Sequence, residues 1–325
     1  MSSRQELLSL TDSGIYCPPG DFYLDPSKPV DVAVVTHAHS DHAYAGSNKY
    51  FVSEKSELLM KMRLGEEAVL ETRRYGEEFE INGVIVSFHP AGHVLGSAQI
   101  RVEFEGEVWI YTGDFKLTRD PTCEPFEKVE CDVLITEATF ALPIYRWTPP
   151  DELSRQINSW WRSNIDAEKV SVLFAYSLGK SQRILKSVDP SIGPIFTHGA
   201  VENLNKAYRE SGVHLPETHY VGDIEDKKEF TGGLVIAPPS AAGTSWLRRF
   251  GKHSTAFASG WMAVRGARRR RALDRGFVMS DHADWPGLIE AIDASKAKRV
   301  LVTHGFVDPL VRWLNESGKE AEPLK

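Results

Sequence analysis

The stretch T-H-A-H-S-D-H, Thr36 to His42, follows directly on the apolar run Val32-Ala33-Val34-Val35. Four strong ligand types, His37, His39, Asp41 and His42, stand within six residues at what reads as the end of a strand. Alternate positions on extended chain point to the same side, so His37 and His39 can clasp one ion together. Asp41 and His42 lie past the bend, free to face a second ion. Imidazole and carboxylate ligands without thiolate suit Zn²⁺, with Mn²⁺ or Fe also feasible. With eleven histidines in 325 residues, three within six positions beside an aspartate are improbable by chance.

Working outward, further ligands appear at the ends of other β-like runs. Ala91-Gly92-His93 follows Val84 to His89, Thr112-Gly113-Asp114 ends Val108 to Thr112, and Val302-Thr303-His304-Gly305 ends the last apolar run. Singly, each is an ordinary turn. Together they supply a third imidazole for one ion, a further imidazole for the other, and a carboxylate to bridge. Two ions about 4 Å apart can hold a hydroxide and stabilise the entering and leaving oxygens of a phosphodiester. Asp25, before Pro26, reads equally as a turn former or as a hydrogen-bond partner of the ligand imidazoles.

The rest of the chain changes style twice. From Ile15 to Phe140 short strands alternate with Gly, Pro, Asn and Asp, as strand and turn signals do. At Thr148-Pro149-Pro150-Asp151 the pattern becomes that of a helix start. Leu153, Ile157, Trp160 and Trp161 then share one helical face. Helices and short apolar strands alternate from there, including a helix expected over Ser240 to Phe250. After Arg275 the first style returns. The expected division is a first domain over 1–145, an inserted α/β domain over 146–262, and a return to the first domain over 263–325.

The motifs have a family likeness. H-A-H-S-D-H, A-G-H-V-L-G-S (Ala91 to Ser97) and T-G-D-F (Thr112 to Phe115) resemble successive metal motifs of the metallo-β-lactamase fold, with Asp25 as its leading aspartate. That resemblance implies an αββα sandwich. Glu137 in I-T-E-A-T-F, His282 in M-S-D-H-A-D-W and His304 in V-T-H-G resemble the later motifs of the β-CASP nucleases, whose extra domain would be the inserted α/β unit. By resemblance, His37, His39 and His93 hold one metal and Asp41, His42 and His304 the other, with Asp114 bridging. His282 is then the phosphate ligand or general acid, and Glu137 its support or that of the ligand histidines.

Within that group the chain is most similar to the bacterial ligase-associated DNA exonucleases. The likeness rests on Ile15 to Pro26, F-A-Y-S-L-G-K-S-Q-R (Phe174 to Arg183) and A-S-G-W-M (Ala258 to Met262). It implies hydrolysis of DNA, single-stranded or with a free end, by a metal-activated hydroxide. It also implies a role in DNA repair beside an ATP-dependent DNA ligase and a helicase. His304 departs from the eukaryotic DNA-processing members and resembles the RNA-processing ones, such as RNase J and the polyadenylation endonuclease. An RNA-processing ribonuclease is therefore the alternative.

Several residues read as substrate contacts. Ser177-Leu178-Gly179-Lys180-Ser181 lies between a strand and a helix, where exposed amides, Lys180 and the serines could seat a phosphate. Ser259-Gly260-Trp261 follows another strand, and Trp261 could stack on a base or pack between domains. Arg265 to Arg275 carries six arginines, Arg268 among them, against one aspartate, a local basic patch in a chain of net charge −7. Net charge alone therefore decides nothing about nucleic acid.

Composition narrows the remaining classes. No apolar run approaches the ~18 residues of a membrane span, and the first fifteen residues have no apolar signal core. Cys17, Cys123 and Cys131 form no C-x-x-C pair and read as free thiols in a reducing cytoplasm.

Overall fold

The computed structural model describes residues 6–264 and 274–325, and the chain divides into two units, Met1–Pro143 with His282–Lys325, and Ile144–Asp281. The second crossing falls later than the expected 262. Strand Arg275–Phe277 pairs in parallel with His253–Ala258, and so completes the sheet of the inserted unit instead of returning to the first. Among the described residues no helix is long and apolar enough to cross a membrane.

The first unit holds two sheets. In one, Ser9–Thr11, Gly14–Cys17, Phe22–Leu24, Val32–Val34, Lys49–Ser53 and Leu70–Arg73 lie side by side in chain order. In the other, Phe79–Ile81, Val84–Pro90, Ala98–Phe104 and Glu107–Tyr111 run antiparallel. Val133–Ala138, Arg299–Gly305 and Glu320–Pro323 then continue that sheet in parallel.

Side-chain alternation decides what each face buries. Trp109 and Tyr111 point into a core shared with Leu24, Val34 and Phe51 of the first sheet, while Ile110 between them points the other way. Ile110, Leu134, Val300 and Val302 meet helices Trp285–Ala294 and Val307–Glu316. Helix Glu57–Leu64 packs on strand Lys49–Ser53 of the first sheet. The result is the expected αββα sandwich. Each fully buried Val, Phe or Ile of this core contributes about 1.5–3 kcal/mol. Asp284 starts helix Trp285–Ala294, its Oδ1 accepting from the Gly287 N–H at 3.1 Å, with Pro286 in the first turn.

The second unit is a six-stranded parallel sheet. Its spatial order is His219–Tyr220, Ile195–Thr197, Leu234–Ala237, Val170–Phe174, His253–Ala258, Arg275–Phe277. Both faces are covered, which is why these strands read as nearly continuous apolar runs. Leu173 and Ala175 face helices Pro150–Asp166 and Lys180–Ser187, while Val170, Val172 and Phe174 pack with Phe230, Phe250 and Met262. The segment expected as one helix over Ser240 to Phe250 is instead two short 3₁₀ turns, Pro239–Ala241 and Ser245–Phe250. Gly243 interrupts them at φ 73°, a left-handed conformation that ends helical hydrogen bonding.

Candidate metal centre

The first histidine after Val32–Val34, His37, is held by a short hydrogen-bond chain that starts at Asp25. One Asp25 oxygen accepts the Thr36 N–H at 2.8 Å, and the other accepts the Thr36 hydroxyl at 2.7 Å. Having given its proton to Asp25, the Thr36 Oγ1 accepts from His37 Nδ1 at 2.9 Å. His37 therefore presents a bare Nε2. Its fully buried ring sits well below the usual histidine range, because burial and then the neighbouring imidazoles oppose a charge there. It is neutral, as a metal ligand must be.

After His39 the chain turns back on itself. The N–H groups of His42 and Ala43 both reach the His39 carbonyl. This returns the His42 ring to within 4.2 Å of His37, centroid to centroid. The same turn leaves Asp41 exposed. His42 Nδ1 lies 2.6 Å from Asp25 and its Nε2 3.5 Å from Asp114 Oδ1. Burial opposes protonation of His42, but the Asp114 and Asp25 carboxylates outweigh it and push its pKa up to about 10.

The remaining ligands come from glycine-bearing turns. Gly113 has φ 53°, and a Cβ there would stand 2.7 Å from Thr36, so only glycine lets the Asp114 turn close onto the Thr36 strand. Gly92, at φ 70°, would bring a Cβ within 2.3 Å of the Lys116 carbonyl. Ser97 Oγ accepts the N–H groups of His93 and Val94 and fixes the His93 turn.

These constraints bring His37, His39, His93 and Asp114 together, their ligand atoms within 4.8 Å of one another. His39 Nδ1 is 3.0 Å from both His37 Nε2 and His93 Nε2, and Asp114 Oδ2 is 3.6 Å from each of those two. Ligand atoms about 2.0–2.1 Å from a tetrahedral Zn²⁺ stand about 3.3 Å apart. One proton on His39 Nδ1 satisfies only one of its two neighbours, whereas a divalent cation satisfies all three nitrogens and the carboxylate. The donor set fits such an ion.

The expected second set is less closely drawn together. His42 reaches Asp114, but among the described residues Asp41 and His304 join neither group of converging ligand atoms. The His304 ring lies 6.3 Å from that of His42, is exposed, and sits on backbone at φ 53°, rare for a residue with a side chain.

A second group does converge, namely Asp114, Glu137 and His282. His282 Nδ1 lies 3.0 and 2.9 Å from the two Glu137 oxygens, and its Nε2 lies 3.8 Å from Asp114 Oδ2. Glu137 also accepts the Phe115 N–H at 3.0 Å and the Thr139 hydroxyl. Burial would raise its pKa, but His282 and these donors hold it below the usual carboxylate value.

Two contributors were not singled out in the sequence. Thr36 is one, and the fully buried Tyr111, whose phenol is pushed up by burial and by Asp25, is the other. A hydroxyl residue directly before the first histidine was the one available signal for Thr36.

The residues expected to contact substrate fall in the stretch of the second unit, and their surroundings differ from one to the next. The Gly179 N–H is taken by Gln182 at 2.8 Å, and Ser181 Oγ bonds the Tyr176 carbonyl. Lys180 is buried, with its ammonium 3.4 Å from Asp281. An anion seat at Gly179–Ser181 is thus already filled by the protein's own groups. Ser177 is half-buried. Ser259 and Gly260 are buried, Ser259 capping the turn that carries the exposed Trp261. Arg268 lies outside the described residues.

A sandwich of two sheets with imidazoles and a carboxylate at the strand ends defines a class. Residues 10–166 match the Metallo-beta-lactamase superfamily, and the chain carries a metallo-β-lactamase domain. Among curated proteins it is 34% identical over 310 residues to a "Probable DNA ligase" of Opitutus terrae, covering 95% of this chain and 30% of that protein. It is 27% identical to an "RNase J-like protein" of Methanocaldococcus jannaschii, covering 61% of this chain and 54% of the relative. It is 26% identical to "Cleavage and polyadenylation specificity factor subunit 3" of Dictyostelium discoideum, covering 49% and 25%. The chain thus spans about a third to a half of the first two relatives' lengths. A solved Enterococcus faecalis V583 protein of unknown function shares the fold, with TM-score 0.62 at 12% identity over 90% of this chain and 79% of its own.

Proposed function

We propose that this chain is a metal-dependent DNA exonuclease of the β-CASP group, hydrolysing phosphodiester bonds at the Asp114 centre. The observation that carries the reading is the convergence of His37, His39 and His93 on Asp114, with the His282–Glu137 pair alongside. A pair of divalent ions held by His37, His39, His93 and Asp114, and by Asp41, His42 and His304, would supply Lewis acidity and a nucleophile at neutral pH.

The protein's own groups do the rest. Asp114 directs one oxygen at His37 and His93 and the other at His42, so its two oxygens would be available to both sets of ligands. Glu137 holds His282 at Nδ1, so Nε2 is the atom turned toward the phosphate, to bind it or to give a proton to the leaving oxygen. DNA as substrate is supported by the relative named as a DNA ligase, which aligns along 95% of this chain. Association with a DNA ligase is part of the proposal and is supported by that relative's name, and a role in repair is proposed with it. RNA is the second reading, favoured by the relatives named for RNA processing.

The test is incubation with Mn²⁺ or Zn²⁺ and matched single-stranded DNA and RNA, labelled at the 5′ or 3′ end, beside Asp114→Ala. Stepwise loss of DNA with RNA spared is the expected result, and the label lost first gives the polarity. Preferential RNA cleavage would overturn the substrate. Equal turnover by Asp114→Ala would overturn the site.

A further inference from the structure

The carboxyl edge of the second unit's sheet carries two exposed aromatic rings. In open parallel sheets this is the edge where ligands gather. Strands Val170–Phe174 and His253–Ala258 are adjacent, with Phe174 beside Phe257. Just past their ends stand Tyr176, 54% exposed, and Trp261, 40% exposed.

Neither ring is loosely held. The Tyr176 carbonyl accepts both the N–H and the hydroxyl of Ser181, at 3.1 and 2.8 Å. Lys180 Nζ lies 4.8 Å from the Tyr176 ring centroid, and the Asp281 carboxylate fixes that buried ammonium in turn. The Trp261 backbone N–H donates to Ser259 Oγ, and the ring meets the buried Tyr145 edge-on at 5.9 Å. Arg146, next to Tyr145 in the chain, is exposed. Exposed rings braced from behind lose little side-chain entropy on binding. A flat ring stacks on any base, and an exposed guanidinium suits the phosphate chain that links bases. Bases offer open faces in a single strand and not within a duplex.

We propose that Tyr176 and Trp261 form a stacking platform for bases of a single-stranded nucleic acid, with Arg146 taking a phosphate. This rests on the nuclease reading and deepens it.

The experiment measures binding of a fluorescein-labelled phosphorothioate oligothymidylate, which resists cleavage, and of an abasic strand of equal length, by anisotropy. Tyr176→Ala and Trp261→Ala are each expected to weaken the base-bearing strand about 5- to 100-fold and to leave the abasic strand unchanged. Tyr176→Phe, which keeps the ring, is expected to bind as the unaltered protein does. Equal losses on both strands, or no loss on either, would overturn the platform. If the unaltered protein binds neither strand, the nuclease reading falls with it. If it binds or degrades DNA and Tyr176→Ala does so equally well, the platform alone is lost.

Discussion

His282 Nδ1 lies 2.9 Å from Glu137 Oε2, and the same carboxylate accepts the N–H of Phe115, the residue after Asp114. Glu137 thereby ties the orientation of one imidazole to the turn that carries the central carboxylate. Glu137→Gln keeps the shape of this group but no longer stabilises a positive His282. We expect it to lower turnover of single-stranded DNA roughly 10- to 100-fold while metal content stays the same. Side-by-side turnover and elemental analysis check this. Undiminished turnover would show that His282 needs no carboxylate partner.

Thr36 makes a different demand. Its hydroxyl proton goes to Asp25, so its oxygen can accept from His37 Nδ1. Thr36→Val keeps the β-branched shape and deletes that relay, whereas Thr36→Ser keeps the relay. The valine variant is expected to bind Zn²⁺ roughly 10- to 100-fold more weakly, and the serine variant near normally. Competition against a chromogenic chelator reads both. Equal affinity in all three proteins would remove Thr36 from the site.

Glu202 in the second unit supplies a pH prediction. It accepts from Thr197 at 2.6 Å and Thr218 at 2.7 Å, and pairs with Arg209 at 3.1 Å. Burial would raise its pKa, but these partners hold it below the ordinary carboxylate value. A depressed pKa stabilises the fold above the unfolded value, and that gain is lost as pH falls through the folded one. Glu202→Gln is expected to cost about 1–3 kcal/mol at pH 7 and progressively less as the solution is acidified below the ordinary carboxylate range. Denaturant titrations across that range test it. A cost independent of pH would contradict the charge argument.

How far these sites could be read in the sequence depended on whether the chemistry was local. T-H-A-H-S-D-H packs its ligands into one strand end, and its spacing alone predicts shared metal binding. The αββα layers were legible only through the likeness of the metal motifs, because a run such as Trp109-Ile110-Tyr111 is apolar throughout and its two buried faces separate only in the structure. Lys180 was misleading for the opposite reason. Beside Gly179 it reads as an anion seat, and the Asp281 that takes its charge is far away in sequence. Strand Arg275–Phe277 was assigned to the first domain because a parallel partner such as His253–Ala258 leaves no turn signal between the two. The weaker convergence of Asp41 and His304 was equally invisible, since it depends on a turn after His39 and on left-handed backbone at His304.

Metal removal tests whether the Asp114 centre is structural as well as chemical. The ligands come from strand ends in both sheets of the first unit, and the second unit contributes none of them. An ion present at roughly 1,000 times its Kd stabilises the folded form by about 4 kcal/mol. Without it the buried imidazoles face one another with unshared lone pairs. Treatment with a chelator is therefore expected to speed amide exchange at Val32–Val34 and Glu107–Tyr111 far more than at Val170–Phe174. Hydrogen exchange followed by mass spectrometry resolves these strands, and adding Zn²⁺ back should restore the first two. Equal acceleration in all three strands would mean that the two units open together. No acceleration anywhere would mean that the ligand cluster is rigid without its ion, held by Asp25, Thr36 and Ser97 alone.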